Sequence, residues 1–440
     1  MSKTDTPFIE HELSVFRRVR KRLENIHYTD TGYKIEYRTA LSDALDKLAS
    51  SPFASFNPDA HDYYIYVKGE RAGSWLNPDI DVFQKHATPS SFGRGEKTVM
   101  DPTYRHGTEL NAASLSFSSK YKDVLFDIEY ELAPAMFVGK EIRLKLYKLA
   151  VYGTGGHFDW HRDSTRSDAH HGTVLFALNT EWEGGELMLR RGGVETSIDM
   201  HPTRLPGKEG LSPVVVGFYT DTEHKVMPVT KGVRLVLQFD VEVVGIYLPK
   251  DIGVCLQSAG NRRKQIASRF KTCPNVDDSD VLIQGVVDEI RELHERGSTV
   301  VAFQLAHLYR KASVREEYLK GNDSALFNTL KSHFDVSLSA VVIRFTDGVA
   351  GETGDEWGAI AYSYASSAMK DEDSESEDGC ANWQGIGRVF KNASFHLPQA
   401  SAIQEISCQD FIEHVGNESL SGNTKYFGAR MFVKPKEEMQ

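Results

Sequence analysis

The stretch IRLKLYKLAVYGTGGHFDWHRDS, Ile142–Ser164, joins an alternating segment to a glycine-rich turn and a histidine–aspartate pair. Apolar and polar residues alternate over Ile142–Tyr152, the pattern of a half-buried strand. The glycines of Gly153–Gly156 let the backbone turn tightly. His161 and Asp163 follow two positions apart, and such positions on a strand project to the same face. The stretch therefore predicts that an imidazole and a carboxylate point together into the fold.

Further short strands follow at close spacing, and they indicate the fold class. Each is an apolar run, and glycine-rich or charged turns separate the runs. The predicted strands are TVLFAL (Thr173–Leu178), GELMLR (Gly185–Arg190), VVVGFY (Val214–Tyr219) and RLVLQFDVEVV (Arg234–Val244). Several short strands with such turns favour a sandwich or a barrel, and NTEWEGG (Asn179–Gly185) is interpreted as a connection.

A second histidine and an arginine complete the chemical pattern. His224 follows the strand VVVGFY, and Arg234 lies ten residues later at the start of the next predicted strand. Two histidines and one carboxylate on one face of an iron leave coordination positions open for a cosubstrate and oxygen. A guanidinium suits the distal carboxylate of a dicarboxylic acid because it binds such a group through two hydrogen bonds.

The order of Tyr152, the glycine turn, His161-x-Asp163, His224 and Arg234 resembles the prolyl 4-hydroxylase-like branch of the 2-oxoglutarate and iron oxygenases. The resemblance covers roughly residues 90–245, including SFGRGEKTVMD and EGGEL. It implies a double-stranded β-helix, or jelly-roll, catalytic core. It also implies that His161, Asp163 and His224 bind Fe(II), that Arg234 holds the C5 carboxylate of 2-oxoglutarate, and that Tyr152 lines the cosubstrate pocket.

The resemblance implies an oxygenase reaction. Such an enzyme uses O2 and converts 2-oxoglutarate to succinate and CO2 while it oxidises an unactivated C–H bond, and ascorbate is compatible with this chemistry. Asp163 favours hydroxylation, demethylation or desaturation, because related halogenases lack this carboxylate. The family points to a protein side chain such as proline as substrate. A free amino acid or natural product, a nucleobase, and a non-catalytic scaffold with a retained oxygenase fold stay open as alternatives.

Other polar residues near the motif are weaker candidates. Lys148 shares the face of Tyr152 on a regular strand, and both it and Arg105 are interpreted mainly as structural. His157 lies four positions before His161, a spacing that aligns side chains on a helix but not on a strand. The polar segment Thr165–Gly172, with His170 and His171, is interpreted as a solvated loop, and His294 and His307 are placed in a helical region.

Composition limits the classes of partner. The chain has 440 residues and a net charge of −11, which disfavours general nucleic-acid binding. No apolar stretch approaches the roughly 20 residues of a membrane-spanning helix, and the N-terminus shows no secretory signal. The four cysteines have no zinc-like spacing and indicate a reducing compartment, the cytoplasm or nucleus. The oligomeric state is left open.

The chain is predicted to have an α+β fold with three parts. These are an N-terminal helical and strand region at 1–88, the dioxygenase domain at 89–247 and an α+β C-terminal domain at 248–440. Helices are predicted at 11–25, 38–49, 119–137, 279–296 and 315–332, with strands at Asp62–Val67, Val336–Phe345 and Tyr426–Pro435. SSFGRGEKT (Ser90–Thr98) is interpreted as a loop, and the acidic run at 369–379 as a surface loop.

Overall fold

The computed structural model describes residues 34–37, 39–48, 53–58, 62–94, 97–137, 140–191, 194–206, 210–246, 279–310, 313–339, 341–347, 357–363, 393–397, 414–415, 426–427 and 429–436. The predicted helix at 11–25, the four cysteines and the acidic run at 369–379 lie outside these residues. Within them, no helix is long and apolar enough to cross a membrane.

Five α-helices and two 3-10 turns are present in the described residues. The helices are α1 (Ala40–Leu48), α2 (Ile80–His86), α3 (Tyr121–Met136), α4 (Ser279–Glu295) and α5 (Gly321–His333), and the 3-10 turns are Ala112–Ser114 and Glu316–Tyr318. Four of the five α-helices, all except α2, fall where the sequence predicts helices. Helix α5 begins at Gly321, where the sequence predicts a break. In α3, Val124, Ile128, Leu132 and Met136 recur every four residues and are all buried, the apolar stripe of a helix packed against a core.

The strands account for most of the described fold. In chain order they are β1 (Lys34–Tyr37), β2 (Phe53–Phe56), β3 (Tyr64–Val67), β4 (Glu70–Ser74), β5 (Thr88–Pro89), β6 (Phe92–Arg94), β7 (Lys97–Val99), β8 (Arg105–His106), β9 (Thr108–Asn111), β10 (Leu115–Phe117), β11 (Lys140–Tyr152), β12 (His157–His161), β13 (His170–Ala177), β14 (Trp182–Gly184), β15 (Leu187–Arg191), β16 (Val194–Ile198), β17 (Val215–Tyr219), β18 (Glu223–Val226), β19 (Val229–Gly232), β20 (Arg234–Ile246), β21 (Val300–Gln304), β22 (Tyr309–Arg310), β23 (Phe334–Ser339), β24 (Val341–Asp347), β25 (Trp357–Ser363), β26 (Ala393–Leu397), β27 (His414–Val415), β28 (Tyr426–Phe427) and β29 (Arg430–Pro435). With the helices they confirm the predicted α+β class.

Two antiparallel sheets form the central part of the molecule. One has seven strands in the order β2-β17-β13-β20-β11-β9-β5, and the other has five in the order β16-β15-β18-β12-β8. On β11 and β20, alternate residues belong to different cores. Ala150, Tyr152 and Val236 pack with residues of the five-stranded sheet, whereas Leu149 and Leu235 pack with α3. The site residues that share the first face therefore point between the two sheets.

A third sheet, in the order β1-β26-β21-β29-β23, lies in the C-terminal part of the chain and packs against α1, α4 and α5. Its first strand comes from the N-terminus, since Lys34–Tyr37 pairs in parallel with Ser394–Leu397. By contrast, Phe53–Phe56 joins the seven-stranded sheet. Contacts thus cross the predicted limits at 88 and 247, and the division into domains stays a prediction.

Three local interpretations from the sequence are wrong. Ser90–Thr98 is not a plain loop, because β6 and β7 pair within it. The connection at 179–185 contains the strand β14, which pairs with β19. The predicted strands at Val336–Phe345 and Tyr426–Pro435 are each divided, giving β23 with β24 and β28 with β29. The pairings of β14 with β19 and of β23 with β29 depend on partners distant in the sequence, so local periodicity does not show them. The strands β6 and β7 have three residues each, too few for a periodic pattern.

Candidate metal centre

His161, Asp163 and His224 converge at one place between the two central sheets. One potential ligand atom from each lies within 4.8 Å of the other two, and all three residues are buried. His161 ends β12 and His224 lies directly opposite it on β18. The pairing of these strands shifts between Phe158 and His161, an irregularity of the kind that re-aims side chains. Asp163 follows the end of β12, so its position beside the histidines is set by the chain after the strand.

Backbone carbonyls fix the orientation of both imidazoles. Nδ1 of His161 donates to the carbonyl of Asp159 at 2.7 Å, and Nδ1 of His224 donates to the carbonyl of Thr222 at 3.1 Å. In the neutral form of an imidazole whose Nδ1 donates in this way, the lone pair is on Nε2, the nitrogen that can bind a metal. Burial, reinforced by repulsion from His224, holds the pKa of His161 well below its ordinary value. Protons therefore compete little with a metal for this nitrogen.

Asp163 is held as a carboxylate. The hydroxyl of Thr173 donates to its Oδ2 at 2.5 Å, and Nε2 of His224 lies 3.8 Å from the same oxygen. Burial alone would raise the pKa of Asp163, but the interactions with His224 and Thr173 outweigh it and leave that pKa below its usual value. The amide of Gln238 contacts the other oxygen at 3.5 Å. Two neutral imidazoles and one carboxylate form a donor set that suits a ferrous ion.

Arg234 is a buried cation on the same strand as Gln238. Its side chain is 1% exposed, and Tyr152 lies directly opposite it on β11, with the guanidinium carbon 5.8 Å from the ring centre. Nη2 contacts Sδ of Met200 at 3.1 Å, and Nε has no hydrogen-bond partner among the residues that the structure describes. No carboxylate of the described residues forms an ion pair with it. Burial lowers the pKa of Arg234 to about 10, which shows the cost of desolvating this charge.

Beside Tyr152, Glu109 balances two further buried cations. Its Oε2 accepts from Nη2 of Arg105 at 2.8 Å and from Nζ of Lys148 at 2.9 Å. Lys148 shares the inward face of β11 with Tyr152, as its spacing predicts. Burial, with repulsion from Arg105, lowers the pKa of Lys148 to about 7. Both cations already hold a carboxylate partner, which agrees with the structural interpretation of Arg105 and Lys148.

The turn before His224 is bound by residues from the C-terminal part of the chain. Nζ of Lys320 donates to Oδ1 of Asp221 at 3.0 Å, and Nδ1 of His307 donates to Oδ2 at 3.2 Å. The carbonyl of Asp221 accepts from Nε of Arg162, next to Asp163, at 3.1 Å. The turn that carries Asp221 also carries the carbonyl of Thr222 that orients His224, so these contacts adjoin the metal centre on two sides.

Several predictions for the remaining histidines need correction. His170 and His171 are the first two residues of β13 and are buried, so they do not lie in a solvated loop. His307 lies after β21 and not in a helix. The sequence did not indicate a role for His307, Asp221 or Lys320. His157 donates to backbone carbonyls of Gly155 or Thr103, and it is outside the converging set. No local pattern could have identified the contact of His307, because Asp221 lies 86 positions away.

Comparisons with known proteins place this geometry in context. Residues 147–239 match the model of the 2OG-Fe(II) oxygenase superfamily, and no curated protein matches the chain. A prolyl-4-hydroxylase from Pseudomonas putida is 17% identical, with 47% of this chain and 100% of that chain covered and a TM-score of 0.28.

Two further solved structures are similar at the same level. A prolyl hydroxylase from Trichoplax adhaerens, in complex with a hypoxia inducible factor peptide fragment, is 15% identical, with 46% and 89% coverage and a TM-score of 0.29. The alpha ketoglutarate dependent epimerase SnoN from nogalamycin biosynthesis is 14% identical, with 48% and 86% coverage and a TM-score of 0.27. The match of residues 147–239 supports the coarser part of the resemblance predicted from the motif, a similarity to the 2OG-Fe(II) oxygenase superfamily.

Proposed function

We propose that this protein is an Fe(II)- and 2-oxoglutarate-dependent dioxygenase that hydroxylates a C–H bond of a protein side chain such as proline, with release of succinate and CO2. The observation that carries the proposal is the convergence of His161, Asp163 and His224 in a buried setting within the matched segment. The proposal includes a jelly-roll arrangement of the two central sheets, and a dioxygenase domain at 89–247 between an N-terminal region and a C-terminal α+β domain.

His161, Asp163 and His224 would hold the iron. Nδ1 of each histidine is held by a backbone carbonyl, which leaves Nε2 as the nitrogen that would bind the metal. Thr173 and Gln238 hold the carboxylate of Asp163 by its two oxygens. Together with 2-oxoglutarate and O2, the bound iron supplies the oxidising chemistry that side chains lack. The protein's own contribution is to orient the ligands, to leave positions open and to exclude water.

Arg234 would bind the C5 carboxylate of 2-oxoglutarate. Arg234 and Gln238 share one face of β20 four positions apart, which places them about 13 Å apart along the strand. Gln238 contacts Asp163, so a short dicarboxylate can lie between the metal centre and the guanidinium. Tyr152, opposite Arg234, would form a wall of that pocket. An unpaired, desolvated guanidinium is stabilised by a carboxylate that makes two hydrogen bonds to it.

The substrate assignment rests on the motif order that resembles the prolyl 4-hydroxylase-like branch. It is tested by succinate release with proline-containing peptides, compared with free proline and other free amino acids. Stimulation by peptides alone supports the protein substrate. Stimulation by a free amino acid alone, with none by any peptide, would replace that substrate with a small molecule and leave the dioxygenase assignment intact.

The metal assignment predicts that His161→Ala or Asp163→Ala removes activity and weakens iron binding at least tenfold. Each substitution removes one of the three protein ligands, and the two that are left bind the ferrous ion more weakly. Iron content after dialysis and succinate release without substrate would both be measured. The matched control is His157→Ala, a nearby histidine outside the converging set, which is expected to retain iron.

Two results would contradict the proposal. Full activity of either ligand variant would remove that residue from the centre. A wild-type protein that neither binds iron nor converts 2-oxoglutarate, even without substrate, would favour a non-catalytic scaffold that has kept the oxygenase fold.

A further inference from the structure

The C-terminal sheet contains a pair of buried polar side chains that face each other across two strands. Gln304 ends β21 and Arg430 begins β29, and they are directly opposed in the antiparallel pairing. Such opposed residues project to the same side of a sheet with their Cβ atoms about 5 Å apart. Their neighbours Phe303 and Met431 pack with the helices, so Gln304 and Arg430 lie on the other face of the sheet.

Neither side chain has a strong partner. Arg430 is 0% exposed, and within the described residues its side chain makes one hydrogen bond, a 3.4 Å contact from Nη1 to the carbonyl of Ala429. In the part of the chain that the structure describes, Nε and Nη2 of Arg430 are buried without a partner, as are both amide atoms of Gln304, which is 3% exposed. No carboxylate of the described residues forms an ion pair with Arg430. Burial lowers the pKa of Arg430 to about 9, and no charge of the described residues offsets that effect.

The surroundings make this arrangement unfavourable without a ligand. Phe432 and Ala302, two positions along each strand on the same face, are also buried, so the guanidinium lies beside apolar groups. A buried charge without a partner costs several kcal/mol, and buried charges in folded proteins are almost always paired. The low polarity of the site also strengthens the attraction of any anion that enters.

The free atoms define the chemistry of that anion. Nε and Nη2 form one edge of the guanidinium, and their two parallel N–H groups match the two oxygens of a carboxylate. The amide nitrogen of Gln304 can add a third donor from the opposed strand. Arg234, at the proposed cosubstrate pocket, is also buried and also has a free Nε, although its Nη2 contacts Sδ of Met200.

We propose that Arg430 and Gln304 form a second anion site, separate from the metal centre, that binds a ligand through a carboxylate group. The ligand lies against the helix-distal face of the C-terminal sheet, with the carboxylate held by the Arg430 fork and by the Gln304 amide. This site does not depend on the oxygenase assignment.

The test uses the full chain with Arg234→Met, which removes the proposed carboxylate site of the core. After dialysis against chloride, the melting temperature is measured as sodium acetate replaces sodium chloride at constant ionic strength. A ligand that binds only the folded chain raises this temperature with saturation. We expect a saturable rise with Arg234→Met alone, a much smaller rise when Gln304→Leu or Arg430→Lys is added, and none with Arg430→Met.

The control is Arg296→Met, which removes an exposed arginine that pairs with Glu292 and should leave the acetate response unchanged. If Arg430→Met does not fold, the Gln304→Leu and Arg430→Lys variants decide the result. An equal effect of acetate and chloride would overturn the proposal. So would an acetate response that these two variants do not reduce. A third result would also overturn the proposal: Arg430→Met lowers the stability, but the Arg234→Met protein without it shows no acetate response. Arg430 would then pair with an acidic group of the chain itself.

Discussion

Arg234 is a buried cation whose environment favours a bound anion. It is 1% exposed, and its contacts in the described residues are a methionine sulfur and the face of Tyr152. Replacing a buried, unpaired ion by an apolar side chain of similar size is often neutral or stabilising, because the desolvation cost disappears. If Arg234 serves binding, such a substitution should weaken the ligand without lowering the free energy of unfolding. If it serves folding, the substitution should lower that free energy.

We predict that Arg234→Met leaves the free energy of unfolding unchanged or raises it, and that it weakens 2-oxoglutarate at least tenfold. Arg234→Lys keeps the charge but loses the paired hydrogen bonds, so its effect on the cosubstrate should be intermediate. Urea denaturation and the Michaelis constant for 2-oxoglutarate would be measured on both variants. An unaltered Michaelis constant in Arg234→Met would exclude Arg234 from the cosubstrate pocket.

His170 gives a residue-scale prediction about pH. Its Nδ1 accepts from the amide of Arg166 and its Nε2 donates to the carbonyl of Gly172, so the folded state holds the neutral ring. Burial lowers the pKa of His170 to about 4, whereas an unfolded histidine titrates near 6.5. The unfolded chain therefore takes up the proton first. The contribution is fully present above about pH 6.5 and is lost as the pH falls toward 4.

At pH 5 this one group should cost about 2 kcal/mol of stability relative to neutral pH. His396, with its pKa lowered by burial to about 4, acts in the same direction, and Asp240, with its pKa raised by burial to about 6, acts in the opposite one. The change due to His170 is isolated with His170→Gln, since glutamine can make both hydrogen bonds without titrating. Equal pH dependence in the two proteins would refute the prediction.

At the scale of elements, the junction of β19 and β20 places Arg234 in the core. At this junction the backbone of Gly232 lies close to the backbone of Glu181. Gly232 has a φ of +77°, and a Cβ added there would lie 2.1 Å from the carbonyl oxygen of Glu181. Gly232 is directly opposite Trp182 in the pairing of β19 with β14. A larger residue must therefore move the backbone of one strand and disturb the start of β20.

Gly232→Ala is predicted to destabilise the fold by at least about 2 kcal/mol, because it adds a positive-φ cost to a backbone clash. It should also raise the Michaelis constant for 2-oxoglutarate, since Arg234 lies two positions later. Gly153→Ala is the control, because a Cβ at Gly153 meets no atom within 4 Å. Thermal unfolding of the two variants would be compared, and similar melting temperatures would contradict the role given to the Gly232 contact.

At the scale of the whole molecule, buried ionic contacts join the C-terminal part of the chain to the metal centre. Nζ of Lys320 binds Asp221, the hydroxyl of Thr220 and the carbonyl of Leu308, and the side chains of Lys320 and Asp221 are both 4% exposed. Asp221 lies in the turn that carries Thr222, the carbonyl partner of His224. The C-terminal part therefore supports His224, a proposed metal ligand, through this turn.

We predict that Lys320→Met lowers the free energy of unfolding by about 3–5 kcal/mol, because it leaves a buried carboxylate without its cation. Iron affinity should also fall, while the Michaelis constant for 2-oxoglutarate changes little. Lys331→Met is the matched control, since its ion pair with Glu316 is exposed and worth at most about 1 kcal/mol. Equal losses in the two variants would show that the buried contact has no special effect.

The sequence by itself determined the strands around the metal centre and the residues that meet there. The alternation over Ile142–Tyr152 and the apolar run Arg234–Val244 predict two strands, and the motif order predicts the set of His161, Asp163, His224 and Arg234. These features are readable because strand periodicity is local, and because the chemistry needs particular residue types at fixed spacing.

Only the tertiary structure decided how distant segments join. The pairing of Lys34–Tyr37 with a strand near residue 395, the contacts of Lys320 and His307 with Asp221, and the opposition of Gln304 and Arg430 all link positions far apart in the chain. The sequence around each of these residues contains no motif that would predict its partner. Their roles follow from the packing of whole sheets and helices, in which a buried polar group must find its partner wherever the fold places one.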